Sequence, residues 1–354
     1  MVEPIPTVVL TGFLGAGKTS LLNALLKDPL LANACVVINE FGDVGIDHLL
    51  VEKSDDNIVE LAAGCLCCTI RGDLIDTLTD LITRRDAGSI KAFDRIVIET
   101  TGLADPAPVL HVLMRDERLL HRLRLEGVIT LVDAVNGWAT LDAHPEALKQ
   151  VAVADRIVLT KLDLLNGVKG EDKMFAIIGR LRALNPTSRL LTTHHGEATA
   201  ERLLNMGLYN AATKTLDVQN WLNDEALTQP HRHAHDVSRH DAHIRSFALR
   251  ENRSISPQGL EMFLEMLTSF HGPNLLRMKG LLKLSDDPSR PLAVHAVQHV
   301  VHPPVRLPAW PDGEEQTRLV FIVKDIEKAQ IENLFAALVD PFSGATDKTL
   351  SLVR

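Results

Sequence analysis

The eight residues from Gly12 to Thr19 restrict the fold of this 354-residue chain more than any other segment does. They read Gly-Phe-Leu-Gly-Ala-Gly-Lys-Thr, which matches the phosphate-binding loop between a strand and a helix in P-loop nucleoside triphosphatases. The glycines let backbone N–H groups turn toward the phosphates, Lys18 reaches the outer phosphates, and the Thr19 hydroxyl is placed to bind Mg²⁺. The alternative is a glycine-rich turn that ends by chance in Lys-Thr. The residues predicted to hold the phosphates are Gly12, Gly15, Ala16, Gly17, Lys18, Thr19 and Ser20.

Short runs of β-branched residues alternate with segments of helical period in the first half of the chain. This alternation predicts an α/β domain of the P-loop type, in which helices cover both faces of a mostly parallel sheet. The predicted strands are Thr7–Leu10, Cys35–Ile38, Ile58–Leu61, Arg95–Ile98, Val128–Val132, Arg156–Leu159 and Arg189–Thr193. The segments of helical period between them include Ser20–Leu26, Leu74–Ile82 and Pro106–Met114.

The chain changes character between His231 and His243, where five of thirteen residues are histidine and no hydrophobic period is found. We interpret 226–243 as a linker between a P-loop domain over 1–225 and a smaller α+β domain over 244–354. The histidines could collect weakly bound metal ions, or they could be solvated polar residues only. The elements predicted for the second domain are the strands Ile244–Leu249, Leu292–Val301 and Arg318–Val323 and the helices Pro257–Phe270 and Ile326–Leu338.

A carboxylate ends the buried strand that begins at Arg95, and a glycine follows it in the sequence Glu99-Thr-Thr-Gly102. P-loop enzymes place at this point the acid that holds Mg²⁺ and the switch that senses the γ-phosphate. We therefore predict that Lys18, Thr19 and Glu99 are the catalytic groups. Thr19 and Glu99 would also hold Mg²⁺, and Gly102 would contact the nucleotide. Leu103 follows Gly102 where some enzymes carry a water-positioning glutamine, so slow intrinsic hydrolysis is expected.

The sequence Thr160-Lys161-Leu162-Asp163 is close to the guanine-specificity pattern Asn-Lys-x-Asp and follows a predicted strand. A carboxylate at Asp163 can accept hydrogen bonds from the ring N1–H and the exocyclic amine of guanine, and adenine offers no such pair of donors. The sequence therefore predicts GTP as the nucleotide, with Thr160, Lys161 and Asp163 at the base. Thr160 in place of asparagine loses one amide contact.

Three of the four cysteines, Cys65, Cys67 and Cys68, lie within four residues after Gly64. If the backbone turns there, the three thiolates can converge on one ion such as Zn²⁺ or another transition metal and leave its fourth position open. A helix that begins soon after Cys68 would favour the thiolate forms. A redox switch is the alternative. The fourth cysteine, Cys35, stands inside a predicted strand and is interpreted as a small buried hydrophobic residue.

Composition excludes several classes of function. The net charge of -9 is the opposite of what a nucleic-acid-binding surface needs, and no polybasic run suggests an anionic membrane. No apolar stretch approaches the roughly 20 residues of a membrane span, and the residues from Met1 to Pro6 do not resemble a signal peptide. The expected location is the reducing cytoplasm, where closely spaced cysteines serve metal or redox chemistry.

Taken together, the motifs resemble the family of metallochaperone GTPases of the CobW and YjiA type, which is related to the nickel-insertion GTPases of hydrogenase and urease. The segments that carry this resemblance are Thr11–Thr19, Asn39–Gly42, Gly64–Thr69, Glu99–Pro106, Thr160–Asp163, Arg277–Gly280 and the strand that contains Gln298. The resemblance implies that GTP hydrolysis is coupled to the binding and delivery of Zn²⁺, or of cobalt or another transition metal in some members.

By the same resemblance, 39–47 is the first switch, and Glu40 or Asp43 adds a carboxylate ligand to the metal. The chain departs from the commoner pattern at Asp43, where glutamate is usual, and at Ile38, where some relatives carry an acidic ligand. The implied partners are GTP, a divalent metal and an unidentified client metalloprotein, with a homodimer as a further option. A regulatory GTPase that senses metal or redox state without transferring metal is the second hypothesis. The histidines at 194, 195, 295, 299 and 302 are assigned no role.

Overall fold

The structure is a computed structural model that describes residues 3–39, 58–61, 67–204, 206, 209–210, 215–216 and 243–339. The chain divides into two compact units, Met1–Ser246 and Phe247–Arg354. The predicted linker 226–243 lies, except for His243, outside the described residues. Nowhere in the described part does a helix have the length and apolar character needed to cross a membrane.

The first unit is built on a parallel sheet whose described strands run in the order β3-β2-β4-β1-β5-β6-β7. All six strand pairings of this sheet are parallel, which confirms the predicted α/β architecture. Each predicted strand is present, and most extend by one to several residues. The strands are β1 Ile5–Gly12, β2 Ala34–Asn39, β3 Ile58–Leu61, β4 Arg95–Thr100, β5 Leu123–Asp133, β6 Arg156–Thr160 and β7 Arg189–Thr192. A separate antiparallel pair consists of β8 Tyr209–Asn210 and β9 Thr215–Leu216.

Helices pack on both faces of this sheet because alternate strand residues point to opposite sides. Val158 of β6 belongs to the core that includes Leu22, whereas its neighbours Ile157 and Leu159 belong to the core that includes Leu181. Both faces are thus apolar, as expected for a parallel sheet. The helices are α1 Lys18–Leu25, α2 Cys67–Asp86, α3 Ala107–Arg115, α4 Glu117–Leu120, α5 Gly137–Ala143, α6 Pro145–Ala152, α7 Gly167–Leu184 and α8 Ala200–Leu203.

The helix prediction was incomplete in two respects. Helix α2 begins at Cys67, several residues before the predicted start at Leu74. Helices α4 to α8 are not among the segments named from the sequence. In α7 the residues Gly167, Gly170 and Gly179 interrupt the apolar period and weaken helix propensity, while α6 has only eight residues.

The second unit is an antiparallel sheet with two helices on one face, which confirms the predicted α+β class. The sheet order is β10-β15-β11-β12-β13, and β14 pairs with β12. Phe263 and Phe335 meet edge to face, with ring centroids 5.0 Å apart, where the two helices pack. The elements are β10 Ile244–Glu251, α9 Pro257–His271, β11 Leu275–Leu282, β12 Leu292–Val297, β13 Val300–Val301, β14 Val305–Arg306, β15 Thr317–Lys324 and α10 Lys328–Val339.

Two features of this sheet differ from the prediction. The single strand expected over Leu292–Val301 is a tight hairpin, because Gln298 adopts a left-handed backbone with φ of 53° between β12 and β13. The central strand β11 was not predicted, since Arg277 and Lys279 interrupt its apolar run. Both of these charged residues are buried in the structure.

Candidate nucleotide site

The phosphate-binding loop connects the end of β1 to the start of α1, as the sequence predicts. Gly12, Gly15 and Gly17 have φ values of 144°, 69° and 95°, a backbone region that favours glycine. A Cβ on Gly12 would lie 2.6 Å from the carbonyl oxygen of Leu131, so this position tolerates no side chain. The three glycines therefore give the loop its shape.

Lys18 occupies the first position of α1 and is only 7% exposed. Its Nζ donates hydrogen bonds to the carbonyl oxygens of Gly12 at 2.9 Å and Phe13 at 3.5 Å. The ammonium group thus lies inside the loop, beside the helix N-terminus with its partial positive charge. Both features favour an anion at this place.

Thr19 and Glu99 meet next to the loop although eighty residues separate them in the sequence. The Thr19 hydroxyl donates to Glu99 Oε1 at 3.3 Å. Parallel pairing aligns Leu10 of β1 with Glu99 of β4, so the carboxyl ends of these neighbouring strands meet at the loop. Hydroxyl and carboxylate oxygens are ligands that Mg²⁺ prefers, and the two residues therefore fit the predicted magnesium site.

The residues Thr100–Pro106 follow Glu99, and we call them the switch segment. Thr100 donates from its hydroxyl to Thr11 Oγ1 on β1 at 2.7 Å. Gly102 packs so closely on the P-loop that a Cβ would lie 2.6 Å from the backbone nitrogen of Leu14. The buried hydroxyl oxygen of Thr101 has no hydrogen-bond partner among the described residues. The switch segment therefore lies against the phosphate-binding loop, where a γ-phosphate would be sensed.

The guanine-specificity pattern follows β6, the strand two positions from β1 in the sheet. The Thr160 hydroxyl donates to the carbonyl oxygen of Ala16 at 2.8 Å, so Thr160 ties this strand end to the P-loop. Lys161 has a left-handed backbone, with φ of 60°, and Asp163 is exposed in the short 3-10 turn Leu162–Leu164. The predicted base contact Asp163 is therefore accessible to a ligand.

Lys161 also forms an ion pair with Asp133 at the end of β5, with 2.8 Å between Nζ and Oδ2. Burial raises the pKa of Asp133, but hydrogen bonds from Lys161, Asn136 and the Val135 backbone outweigh it and hold this pKa below its usual value. A cavity of about 220 Å³ adjoins this pair. P-loop residues, the end of β5 and helices α5 and α6 form its walls.

Helix α6 supplies two residues that the sequence did not mark as functional. Gln150 donates from Nε2 to the carbonyl oxygens of Gly102 at 3.2 Å and Ala104 at 3.0 Å. Lys149 forms an ion pair with Asp105, with 2.7 Å between Nζ and Oδ2. No motif contains these residues. The only sequence signal near them is the helical pattern of 145–152.

The predicted metal ligands Cys65, Glu40 and Asp43 lie outside the described residues, as do the side chains of Cys67 and Cys68. The backbone places Cys67 and Cys68 in the first turn of α2. In the side chains that the structure describes, no three His, Cys, Asp or Glu groups are arranged to hold a metal ion, and this includes His295, His299 and His302.

The remaining residues singled out in the sequence are Cys35, His194 and His195. Burial raises the pKa of the Cys35 thiol to about 11, which keeps it neutral and confirms its interpretation as a buried apolar residue. His194 is exposed in a short 3-10 turn after β7. The side chain of His195 lies outside the described residues.

Two family models match this chain. The model described as the CobW/HypB/UreG nucleotide-binding domain matches residues 6–189, and the model described as the cobalamin synthesis protein cobW C-terminal domain matches residues 244–339. The chain is 33% identical over 337 residues to the zinc chaperone YjiA of Escherichia coli strain K12, with 95% of this chain and 99% of that protein covered.

A second relative and a solved structure are similar over the same extent. The zinc chaperone CobW of a Sinorhizobium species is 30% identical over 368 residues, which cover 95% of this chain and 97% of the relative. The crystal structure of the Zn(II)-bound YjiA GTPase from E. coli superimposes with a TM-score of 0.68 at 29% identity, covering 95% of this chain and 99% of that one.

Proposed function

This chain belongs to the CobW/HypB/UreG family, and from that premise we propose that it is a cytoplasmic GTPase that binds Zn²⁺ and delivers it to a client metalloprotein. The contact between Thr19 and Glu99 beside the P-loop is the single observation that carries the nucleotide part of this proposal. The relatives named zinc chaperones support the metal part.

In the proposed GTPase reaction, each group of the nucleotide site has a separate task. Lys18 and the backbone N–H groups of the loop bind the phosphates, Thr19 and Glu99 hold Mg²⁺, and Asp163 selects guanine. When bound, Mg²⁺ neutralises charge on the β- and γ-phosphates. Leu103 and Ala104 follow Gly102 in the sequence, so the group that orients the attacking water comes from elsewhere. The metal-loaded state, a second copy of the chain and the client are the candidate sources.

We place the Zn²⁺ cargo at Cys65, Cys67 and Cys68. The start of α2 at Cys67 supports this placement, since the positive end of a helix favours thiolates, which are the form that binds metal. Three thiolates leave one tetrahedral position open, and an open position permits transfer to a client. Glu40 and Asp43 are candidates for an additional carboxylate ligand. Cells select among such metals by availability as well as by affinity, so cobalt or another transition metal is an alternative cargo.

The position of the cysteines in the sequence supports coupling between metal and nucleotide. They lie between the first switch, 39–47, and Glu99, both of which adjoin the γ-phosphate in P-loop GTPases. If the thiolates converge better in the GTP state, linkage requires that Zn²⁺ tighten GTP binding by the factor by which GTP tightens Zn²⁺ binding. A typical coupling of about 1–3 kcal/mol corresponds to roughly 5–150-fold.

The experiment is a competition titration of Zn²⁺ against a chromophoric chelator with Mg²⁺ alone, with Mg-GDP and with a Mg-bound non-hydrolysable GTP analogue. We expect the tightest Zn²⁺ binding with the GTP analogue. In Lys18→Ala, which serves as the nucleotide-blind control, the three Zn²⁺ affinities should be equal. Replacing Cys65, Cys67 and Cys68 by serine should abolish tight binding of one equivalent of Zn²⁺ while GTP still binds.

Three results would contradict parts of this proposal. Equal Zn²⁺ affinity in all nucleotide states of the native chain would exclude coupled delivery and favour a regulatory GTPase that only senses metal. Tight Zn²⁺ binding in the triple-serine variant would show that the site is misplaced. If deletion of 231–243 alone removed tight binding, the histidine tract would be the site.

A further inference from the structure

Two neighbouring side chains of α6 hold the switch segment at three points. Gln150 donates to the carbonyl oxygens of Gly102 and Ala104, and Lys149 pairs with the carboxylate of Asp105. The hydrogen-bond lengths of 3.2 and 3.0 Å lie in the normal range for an N–H donor. These contacts fix the backbone immediately after the predicted magnesium ligand.

Gln150 is itself held in place and is chemically suited to this task. It is 1% exposed, and its backbone carbonyl accepts a hydrogen bond from the Thr130 hydroxyl on β5 at 2.7 Å. An amide nitrogen carries two hydrogens, so one side chain can serve two carbonyl oxygens at once. Leucine at this position has a similar volume and no donor, and it would leave both carbonyls without this partner.

The conformation that α6 stabilises is the one in which the switch segment lies against the P-loop, because Gly102 packs on the backbone of Leu14. Holding a segment in its binding position lowers the conformational cost when the ligand arrives. GTP would benefit because its γ-phosphate reaches the switch segment. GDP would not, since it ends at the β-phosphate.

We propose that Gln150, assisted by Lys149, is a positioning residue that holds the switch segment ready for a γ-phosphate and thereby sets the preference of this chain for GTP over GDP. The inference rests on the proposed GTPase function. It adds a determinant of nucleotide-state discrimination that lies outside every motif of the nucleotide site.

The test compares dissociation constants of Mg-GDP and a Mg-bound non-hydrolysable GTP analogue for the full chain and its variants. In Gln150→Leu, affinity for the analogue should fall by roughly 5- to 100-fold relative to GDP, the size expected for two lost hydrogen bonds. Lys149→Met should reduce the same ratio by about 2- to 5-fold, because its ion pair is partly exposed.

Asn185→Leu is the matched control for a purely structural effect. The buried Asn185 amide donates to the carbonyl oxygens of Val151 and Ala152 in the last turn of the same helix and of Ala154 beyond its end, and none of its described hydrogen bonds involves the switch segment. This variant should lower the melting temperature of the protein. The ratio of analogue affinity to GDP affinity should stay at the native value.

An unchanged affinity ratio in Gln150→Leu and Lys149→Met would overturn the inference, and so would a shift toward tighter analogue binding. A similar loss in Asn185→Leu would reduce the role of α6 to general stability. If Gln150→Leu does not fold, the ratio in Lys149→Met decides alone. Failure of the native chain to bind guanine nucleotides would instead refute the proposed function, which separates the two failures.

Discussion

The P-loop and the switch segment lie in contact, but their shapes are fixed in different ways. The P-loop takes its shape from its own glycines, Gly12, Gly15 and Gly17, which adopt backbone angles that other residues rarely reach. The switch segment contains one glycine, Gly102, and is held by side chains of α6 more than forty residues away in the sequence. Local sequence thus determines the first region, and tertiary contacts determine the second.

Variants in the two regions should therefore change the affinities for GDP and GTP in different ways. GDP and GTP both place phosphates in the P-loop, so changes there should affect the two nucleotides alike. Under the proposed function only the γ-phosphate of GTP reaches the switch segment, so changes there should alter the ratio of the two affinities.

Gly12→Ala should have the largest effect, because the added Cβ would lie 2.6 Å from the Leu131 carbonyl oxygen and the backbone φ is 144°. We expect loss of about 3 kcal/mol or more of stability and loss of measurable binding of both nucleotides. Calorimetric unfolding and GDP titration provide the measurements. Gly15→Ala is the matched control, since its Cβ would meet nothing within 4 Å, and it should cost only about 1–2 kcal/mol.

Asp163→Asn should change which base is bound and leave the discrimination between di- and triphosphates intact. The amide presents a donor where the carboxylate accepts, which suits the carbonyl oxygen of xanthine instead of the amine of guanine. We expect preference to move from GTP toward xanthosine triphosphate by about 100-fold or more. Competition binding measures this ratio. Equal binding of ATP and GTP by the native chain would contradict the base assignment.

Gly102→Ala tests the contact between the two regions. The added Cβ would meet the Leu14 backbone at 2.6 to 2.7 Å, so the switch segment has to move away from the P-loop. Affinity for a GTP analogue should fall by on the order of 10- to 100-fold, which is about 1.4–2.8 kcal/mol, while GDP affinity stays close to native. An equal loss for both nucleotides would show that the two regions behave as one unit.

The sequence predicted those parts of the nucleotide site that local motifs encode. The P-loop, the strand that carries Glu99 near its end and the family resemblance are confirmed, because each rests on residues whose spacing itself carries the chemistry. Helix α6 was missed, since no motif marks its start, whereas the P-loop motif marks the start of α1, which has the same length. The contacts of Gln150 with Gly102 were therefore out of reach, as they depend on long-range packing.

A similar limit applied to the second unit. Strand β11 is central and fully buried, but Arg277 and Lys279 interrupt its apolar run, so the hydrophobic pattern does not predict it. The sequence predicts a continuous strand where the structure has a tight hairpin, because a glutamine such as Gln298 gives no signal of a left-handed backbone. The roles assigned to Cys65, Cys67 and Cys68 stay predictions.

The ion pair between Asp133 and Lys161 adjoins the P-loop. None of its described hydrogen bonds reaches the switch segment, so replacing it should have a smaller effect than the variants above. Asp133→Asn removes the charge and keeps one acceptor for the Val135 backbone. We expect a loss of roughly 1 kcal/mol of unfolding free energy at neutral pH, since Lys161 is partly exposed and solvent weakens the pair. The ratio of GTP-analogue to GDP affinity should not change.

The contribution of Asp133 to the free energy of unfolding should depend on pH. The pKa of Asp133 is lowered in the folded chain, so its stabilising contribution is present in full above the unfolded-state pKa of about 4 and is lost as pH falls through the lower folded-state value. The difference in unfolding free energy between native chain and Asp133→Asn should therefore be constant near neutral pH and shrink below about pH 4. Denaturant unfolding across this range measures it. A difference that grew on acidification would mean that Asp133 is not held as the charged partner of Lys161.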